Sequence, residues 1–141
     1  TDANPIFVTA KELPKTQPEL FTEVEQALEF RLEFANGAVA DVWSGYDANR
    51  AEFYAEGAKG WFKGERPTFS YRNLNISTSA KGKLDFGIFR QQQRHMDGVA
   101  AAFRDNQPLT CNGELGRRDM VIIDGIYESI KTGKKVELKY V

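Results

Sequence analysis

The sequence predicts an α+β fold, an open and mainly antiparallel β-sheet with helices packed on one face. Three observations carry this. The first two thirds alternate apolar and polar residues with period two. The last third switches to the helical period. Strands therefore come first and helices last, with no strand–helix–strand alternation that would build a parallel sheet. The 141 residues suit a single domain, and 41% hydrophobic against 28% charged residues is enough to bury a core.

An early strand is expected at Ile6 to Thr9. The Leu13 to Leu20 stretch, broken by Pro14 and Pro18, is expected to form no regular element. Val24, Gln26, Leu28, Phe30, Leu32 and Phe34 then alternate with charged or small residues, a half-buried strand with one polar break at Gln26. Asn36-Gly37 signals a hairpin because both residues tolerate positive φ. The return strand is Ala38 to Tyr46. A two-residue turn would set Phe34 opposite Val39 and put Asp41 opposite Leu32, on the apolar face. A bulged turn would shift that register by one residue. Both remain open at this level. Ala51 to Glu56 reads as a third strand, and Trp61 to Lys63, after the Gly57–Gly60 turn, as a fourth. Pro67 to Ile76 is expected to hold one or two more, and Ser77 to Lys83 to be a loop.

Met96, Val99, Ala100 and Phe103 form one apolar helical stripe, ended by Pro108. Asn112 or Gly113 caps a second helix with Glu114 in its first turn, where the helix dipole favours a carboxylate. Leu115, Ile122, Ile123, Ile126, Tyr127 and Ile130 are its expected buried face, and Gly133 its stop. Val136 to Tyr140 is the closing strand.

The chemistry excluded is broad. A formal net charge of -1 provides no basic field for nucleic acid. No apolar run approaches a membrane span. Cys111 is the single cysteine, and His95 the single histidine, so neither a disulfide within the chain nor a clustered metal site is expected. Gly57, Gly60 and Gly64 separate short strands and do not open a helix, which fails the dinucleotide fingerprint. Asp119 falls on the otherwise apolar helix face; backbone amides of a nearby loop are its expected partner, with an inter-domain contact as the functional alternative. One strand end stands out: Ser44-Gly45-Tyr46-Asp47-Ala48-Asn49-Arg50 gathers a hydroxyl, a phenol, an amide and a guanidinium. Such groups suit a polyol, which needs donors, acceptors and a ring face. Taken alone, the residues favour an ordinary polar hairpin over such a site.

The closing run resembles a known family. It reads Gln93-Arg94-His95-Met96-Asp97-Gly98, then Asn112-Gly113-Glu114-Leu115-Gly116-Arg117-Arg118-Asp119, then Ile126-Tyr127-Glu128-Ser129 and Thr132-Gly133-Lys134. Together with Phe34-Ala35-Asn36-Gly37-Ala38 and Ala51 to Phe62, it is similar to the carboxy-terminal domain of the Gfo/Idh/MocA oxidoreductases. The Lys59-Gly60-Trp61-Phe62 form is most similar to the glucose-fructose oxidoreductase branch. The resemblance implies a parent with an amino-terminal Rossmann domain that binds NAD or NADP. It implies a sugar or polyol substrate and a homo-oligomer built through the open sheet face. The family's catalytic lysine and its substrate-binding Asp and His match no residue here, so no cofactor site and no catalytic residue is expected in this chain. Tyr46, Asn49 and Arg50 are the residues the resemblance brings to the substrate pocket. The alternative is a stand-alone sheet module that binds a carbohydrate or protein partner without catalysis. Any export signal would precede this segment, so bacterial cytoplasm and periplasm both stay open.

Overall fold

The computed structural model describes residues 4–46, 50–66, 74–87 and 90–140. The chain divides into two compact units, Thr1–Ala48 with Thr110–Val141, and Asn49–Leu109.

The first unit contains β1 (Pro5–Glu12), β2 (Ala27–Phe34) and β3 (Val39–Gly45). Its helix Gly113–Thr132 and the short strand Val136–Glu137 complete it, and are numbered α2 and β8 in chain order. The sheet is antiparallel with order β3-β2-β1-β8. Alternation assigns its two faces. Val8 lies across from Leu32 and Ala10 from Phe30, and these side chains turn toward α2. Val8, Ala10, Leu28, Ile126 and Leu138 form the buried core, with Phe30, Leu32, Ile122 and Ile130 packed against it. Burying each of the larger side chains contributes about 1.5–3 kcal/mol. The helix comes close to the sheet because residue 125 is glycine: a Cβ there would collide with Leu138 and stand 3.0 Å from Val8 Cγ1.

The hairpin turn settles the register. Gly37 has φ 82°, its N–H donates to Phe34 O at 2.9 Å, and Phe34 N–H donates to Ala38 O at 3.0 Å. This is the bulged turn. Leu32 faces Ala40 and Phe30 faces Val42, so Asp41 leaves the apolar face and lies across from Arg31. The Arg31 guanidinium clasps it with bonds of 2.6 and 2.8 Å. That hydrogen bond holds the Asp41 carboxyl below its ordinary range.

α2 has the predicted ends. The Asn112 side chain accepts from Leu115 N–H at 3.0 Å, and Gly133 closes the helix at φ 66°. Half of its expected buried face holds and the rest is rotated: Ile122, Ile126 and Ile130 meet the core, Gly125 and Ser129 are buried beside them, and Leu115, Ile123 and Tyr127 are exposed. Asp119 is also exposed, and its partner is Arg118 at 2.8 Å rather than loop amides. Ser129 does structural work the strands leave undone. β8 stops pairing at Val8–Val136, and the Ser129 hydroxyl accepts from Ala10 N–H at 2.9 Å and donates to Lys134 O at 2.7 Å. The hydroxyl bridges β1 and the segment leading into β8, where the ladder has ended.

The second unit contains β4 (Phe53–Gly57), β5 (Gly60–Glu65), β6 (Asn75–Thr78), β7 (Gly82–Lys83) and α1 (Gln91–Arg104). Its sheet is antiparallel in the order β4-β5-β6-β7. The α+β class therefore holds, with two four-stranded sheets among the described residues in place of one. Residues expected to form a loop at Ser77 to Lys83 instead turn a β6–β7 hairpin, with Lys81 N–H donating to Thr78 Oγ1 at 3.1 Å and Gly82 at φ 63°. Part of the expected strand region from Pro67 lies outside the described residues. α1 forms where predicted, yet its stripe is uncovered: Met96 is 68% and Phe103 75% exposed.

Candidate functional site

Tyr46 follows the last residue of β3, in the first unit. Its backbone N–H donates to Gln26 O at 3.1 Å, which extends the β2–β3 pairing by one bond. Its side chain is 83% exposed and meets the Phe21 ring at a centroid distance of 5.5 Å. The two rings make a tilted shelf at the end of the sheet.

The shelf rests on a pinned loop. Gln26 is 1% exposed. Its Oε1 accepts from Thr16 N–H and Gln17 N–H, each at 2.9 Å, and its Nε2 donates to Thr16 Oγ1 at 2.7 Å. A buried amide with both ends satisfied converts a proline-interrupted stretch into a fixed platform. Lys15 Nζ adds a bond to Phe21 O at 2.7 Å.

Next to the shelf lies a carboxylate–phenol pair. Tyr127, on the exposed side of α2, donates its hydroxyl to the Glu25 carboxylate, with oxygen distances of 3.0 and 3.2 Å. The pair joins α2 to the residue before Gln26. The Glu25 bond, then burial, raises the Tyr127 pKa above the ordinary phenol value of 10.0, and the Tyr46 phenol adds to it. Tyr127 is therefore a neutral donor at physiological pH.

Of the sequence-predicted site residues, Tyr46 is thus placed in a cluster with Phe21, Glu25 and Tyr127. Asn49 lies outside the described residues. Arg50 is exposed and belongs to the second unit. Sequence reasoning missed three members of the cluster. Phe21 fell between the irregular Leu13 to Leu20 stretch and the strand, Glu25 in the polar row of that strand, and Tyr127 on the assumed buried face of α2. The available signal was the polar break at Gln26, which marks where the strand gives way to the loop.

The face of the first sheet turned away from α2 is charged and self-paired. Lys11 bonds Glu29 at 3.0 Å, Lys135 bonds Glu33 at 2.7 Å, and Lys135 Nζ also stands 4.5 Å from the Phe7 ring centre. Trp43 shares this face, and Val39 on it is 52% exposed. Among the described residues no three His, Cys, Asp or Glu side chains gather as metal ligands, and no helix is long and apolar enough to cross a membrane.

No family model matches the chain. Solved structures do. The fold is similar to an aldose-aldose oxidoreductase from Caulobacter crescentus crystallised with glycerol, with TM-score 0.87 and 26% identity over 98% of this chain and 42% of that one. It is also similar to a levoglucosan dehydrogenase solved with NADH and levoglucosan (TM-score 0.74, 15% identity, 98% of this chain and 46% of that one). A myo-inositol dehydrogenase from Corynebacterium glutamicum matches at TM-score 0.70 and 21% identity, over 98% and 44% of the two chains. These neighbours are oxidoreductases of the Gfo/Idh/MocA type. The chain spans less than half the length of each of them.

Proposed function

We propose that this chain is the carboxy-terminal substrate and oligomerisation domain of an NAD(P)-dependent sugar or polyol oxidoreductase, close to the glucose-fructose oxidoreductase branch. The observation that carries the reading is the match of 98% of the chain to 42% of an aldose-aldose oxidoreductase at TM-score 0.87. A separate Rossmann domain would bind the dinucleotide and supply the lysine that moves the proton, while hydride passes between the nicotinamide and a sugar carbon. Tyr46, with Asn49 and Arg50, lines the substrate side in this reading. The charged sheet face with Trp43 and Val39 is its oligomer surface, since a sheet covered on one side by a helix leaves the other to a partner.

The test begins with the gene. The expected result is an upstream reading frame encoding a Gly-rich strand–helix unit, and an encoded protein that oxidises an aldose or polyol with NAD or NADP. A start codon immediately before Thr1 would overturn the reading in favour of a stand-alone sheet module. Calorimetry on the 141-residue chain is expected to show no dinucleotide binding.

A further inference from the structure

We propose that Phe21, Glu25, Tyr46 and Tyr127 together form a subsite for a neutral polyol or pyranose, in which the two rings support the apolar face of the ligand and Glu25 accepts its adjacent hydroxyls. The proposal rests on the sugar reading above, and adds the residues that would recognise the ligand and the charge it must carry.

The geometry supplies each part. The Phe21–Tyr46 shelf has centroids 5.5 Å apart, and Tyr46 is 83% exposed. Aromatic rings pack well against an amphipathic partner that has one apolar face and a polar edge. Beside it, Tyr127 donates to both Glu25 oxygens at 3.0 and 3.2 Å. A carboxylate has about four acceptor positions, so one phenol leaves capacity for two ligand hydroxyls. The Tyr127 hydroxyl hydrogen is engaged by Glu25, so its oxygen still offers a lone pair to a ligand donor. Hydrogen bonds to an ionised acceptor are the stronger kind. The partner of Glu25 among the described residues is this phenol and not a cation, so its charge stands open to the ligand. An anionic sugar, such as a uronate, would meet that charge and be repelled.

The arrangement is also built in advance. Gln26 fixes the loop that carries Phe21 through three bonds of 2.7 to 2.9 Å, and its carbonyl holds Tyr46 N–H at 3.1 Å. Ligand binding then costs little ordering of the protein.

Backbone-resolved NMR titration of the 141-residue chain with D-glucose, myo-inositol and D-glucuronate tests this. Saturable shifts at Phe21, Glu25, Tyr46 and Tyr127 are expected with the two neutral probes, and binding of glucuronate weaker by about fivefold. Tyr127→Phe keeps the ring and is expected to weaken glucose by about threefold. Glu25→Gln is expected to abolish the preference against glucuronate. Shifts confined to Ser44 through Arg50, with both variants binding as the parent chain does, would overturn the subsite while leaving the wider sugar reading in place. No saturable shift up to about 100 mM of any probe would also overturn it. The dinucleotide-linked oxidation assay then decides the wider reading by itself.

Discussion

Replacing Gln26 with Met keeps a chain of similar length and volume while removing every polar contact the amide makes. Three hydrogen bonds disappear: those from Thr16 N–H, from Gln17 N–H and to Thr16 Oγ1. Each such bond is worth roughly 1 kcal/mol net, and the amides left behind lose a charge-free but fully satisfied partner. The loop is only part-buried, so water reaches some of the freed groups and the total falls below the full sum. We expect a loss of about 2 kcal/mol, equivalent to roughly 4–10 °C in thermal midpoint for a chain of this size. Urea denaturation followed by far-ultraviolet circular dichroism measures it. Amide exchange at Thr16 and Gln17 should quicken, while exchange at Val8 and Ile126 in the core changes only by the global loss. A stability change under about 0.5 kcal/mol, with unaltered exchange at Thr16 and Gln17, would refute the view that this side chain pins the loop.

Three further outcomes are expected. Ser129→Ala removes one oxygen from a fully buried position and orphans both Ala10 N–H and Lys134 O, costing about 2–3 kcal/mol by denaturation. Gly125→Ala drives a methyl into Leu138 and toward Val8, lowering stability by about 1–3 kcal/mol; a neutral result would show that α2 can shift freely on the sheet. The folded-state pKa of Tyr127 is raised, so its bond to Glu25 contributes fully below pH 10.0 and is lost as pH rises through the higher folded value. In alkaline spectrophotometric titration, Glu25→Gln should move one phenol to lower pH, and an unchanged curve would disprove the pairing.

How much of this could be read from the sequence depended on whether a local rule or a tertiary contact decided the outcome. The β2–β3 hairpin was accessible because Asn36-Gly37 is a local signal, and Asp41 chose between the two registers once Arg31 was available across the strand. Both ends of α2 were accessible for the same reason, as Asn112 and Gly133 act within one turn of the helix. The rotation of its buried face was not. Periodicity finds an apolar stripe, but α2 carries Met120, Ile123 and Tyr127 on one side and Val121, Gly125 and Ser129 on another, and only contact with β1 and β8 selects the second. Small residues won because they permit close approach, and apolarity scales undervalue them. The candidate site failed for a related reason. Phe21, Glu25, Tyr46 and Tyr127 come from a loop, a strand approach, a strand end and a helix, and no sequence pattern links them. Gln26 alone betrayed the arrangement, as a polar residue where alternation called for an apolar one.

The two units differ in how they are held, and this leads to a last prediction. The buried apolar side chains Val8, Ala10, Ala27, Leu28, Ile126 and Leu138 all belong to the first unit. Among the described residues of the second unit no apolar side chain is buried, and Phe53, Tyr54, Met96 and Phe103 are each more than half exposed. A unit that keeps its large apolar groups in water gains little from folding, because burial is the main term offsetting chain entropy. Its sheet and α1 then rest mainly on backbone hydrogen bonds, which contribute modestly in net terms. In native-state hydrogen exchange of the 141-residue chain, amides of β1, β2 and α2 should therefore exchange near the global limit. Those of β4, β5 and α1 should exchange at least about a hundredfold faster. Equal protection in the two units would show that the second unit is stabilised by something other than burial of its own side chains. A rise in protection of β4, β5 and α1 alone, on joining the chain to a partner domain or on self-association, would identify the exposed aromatic and methionine side chains as the surface that partner covers.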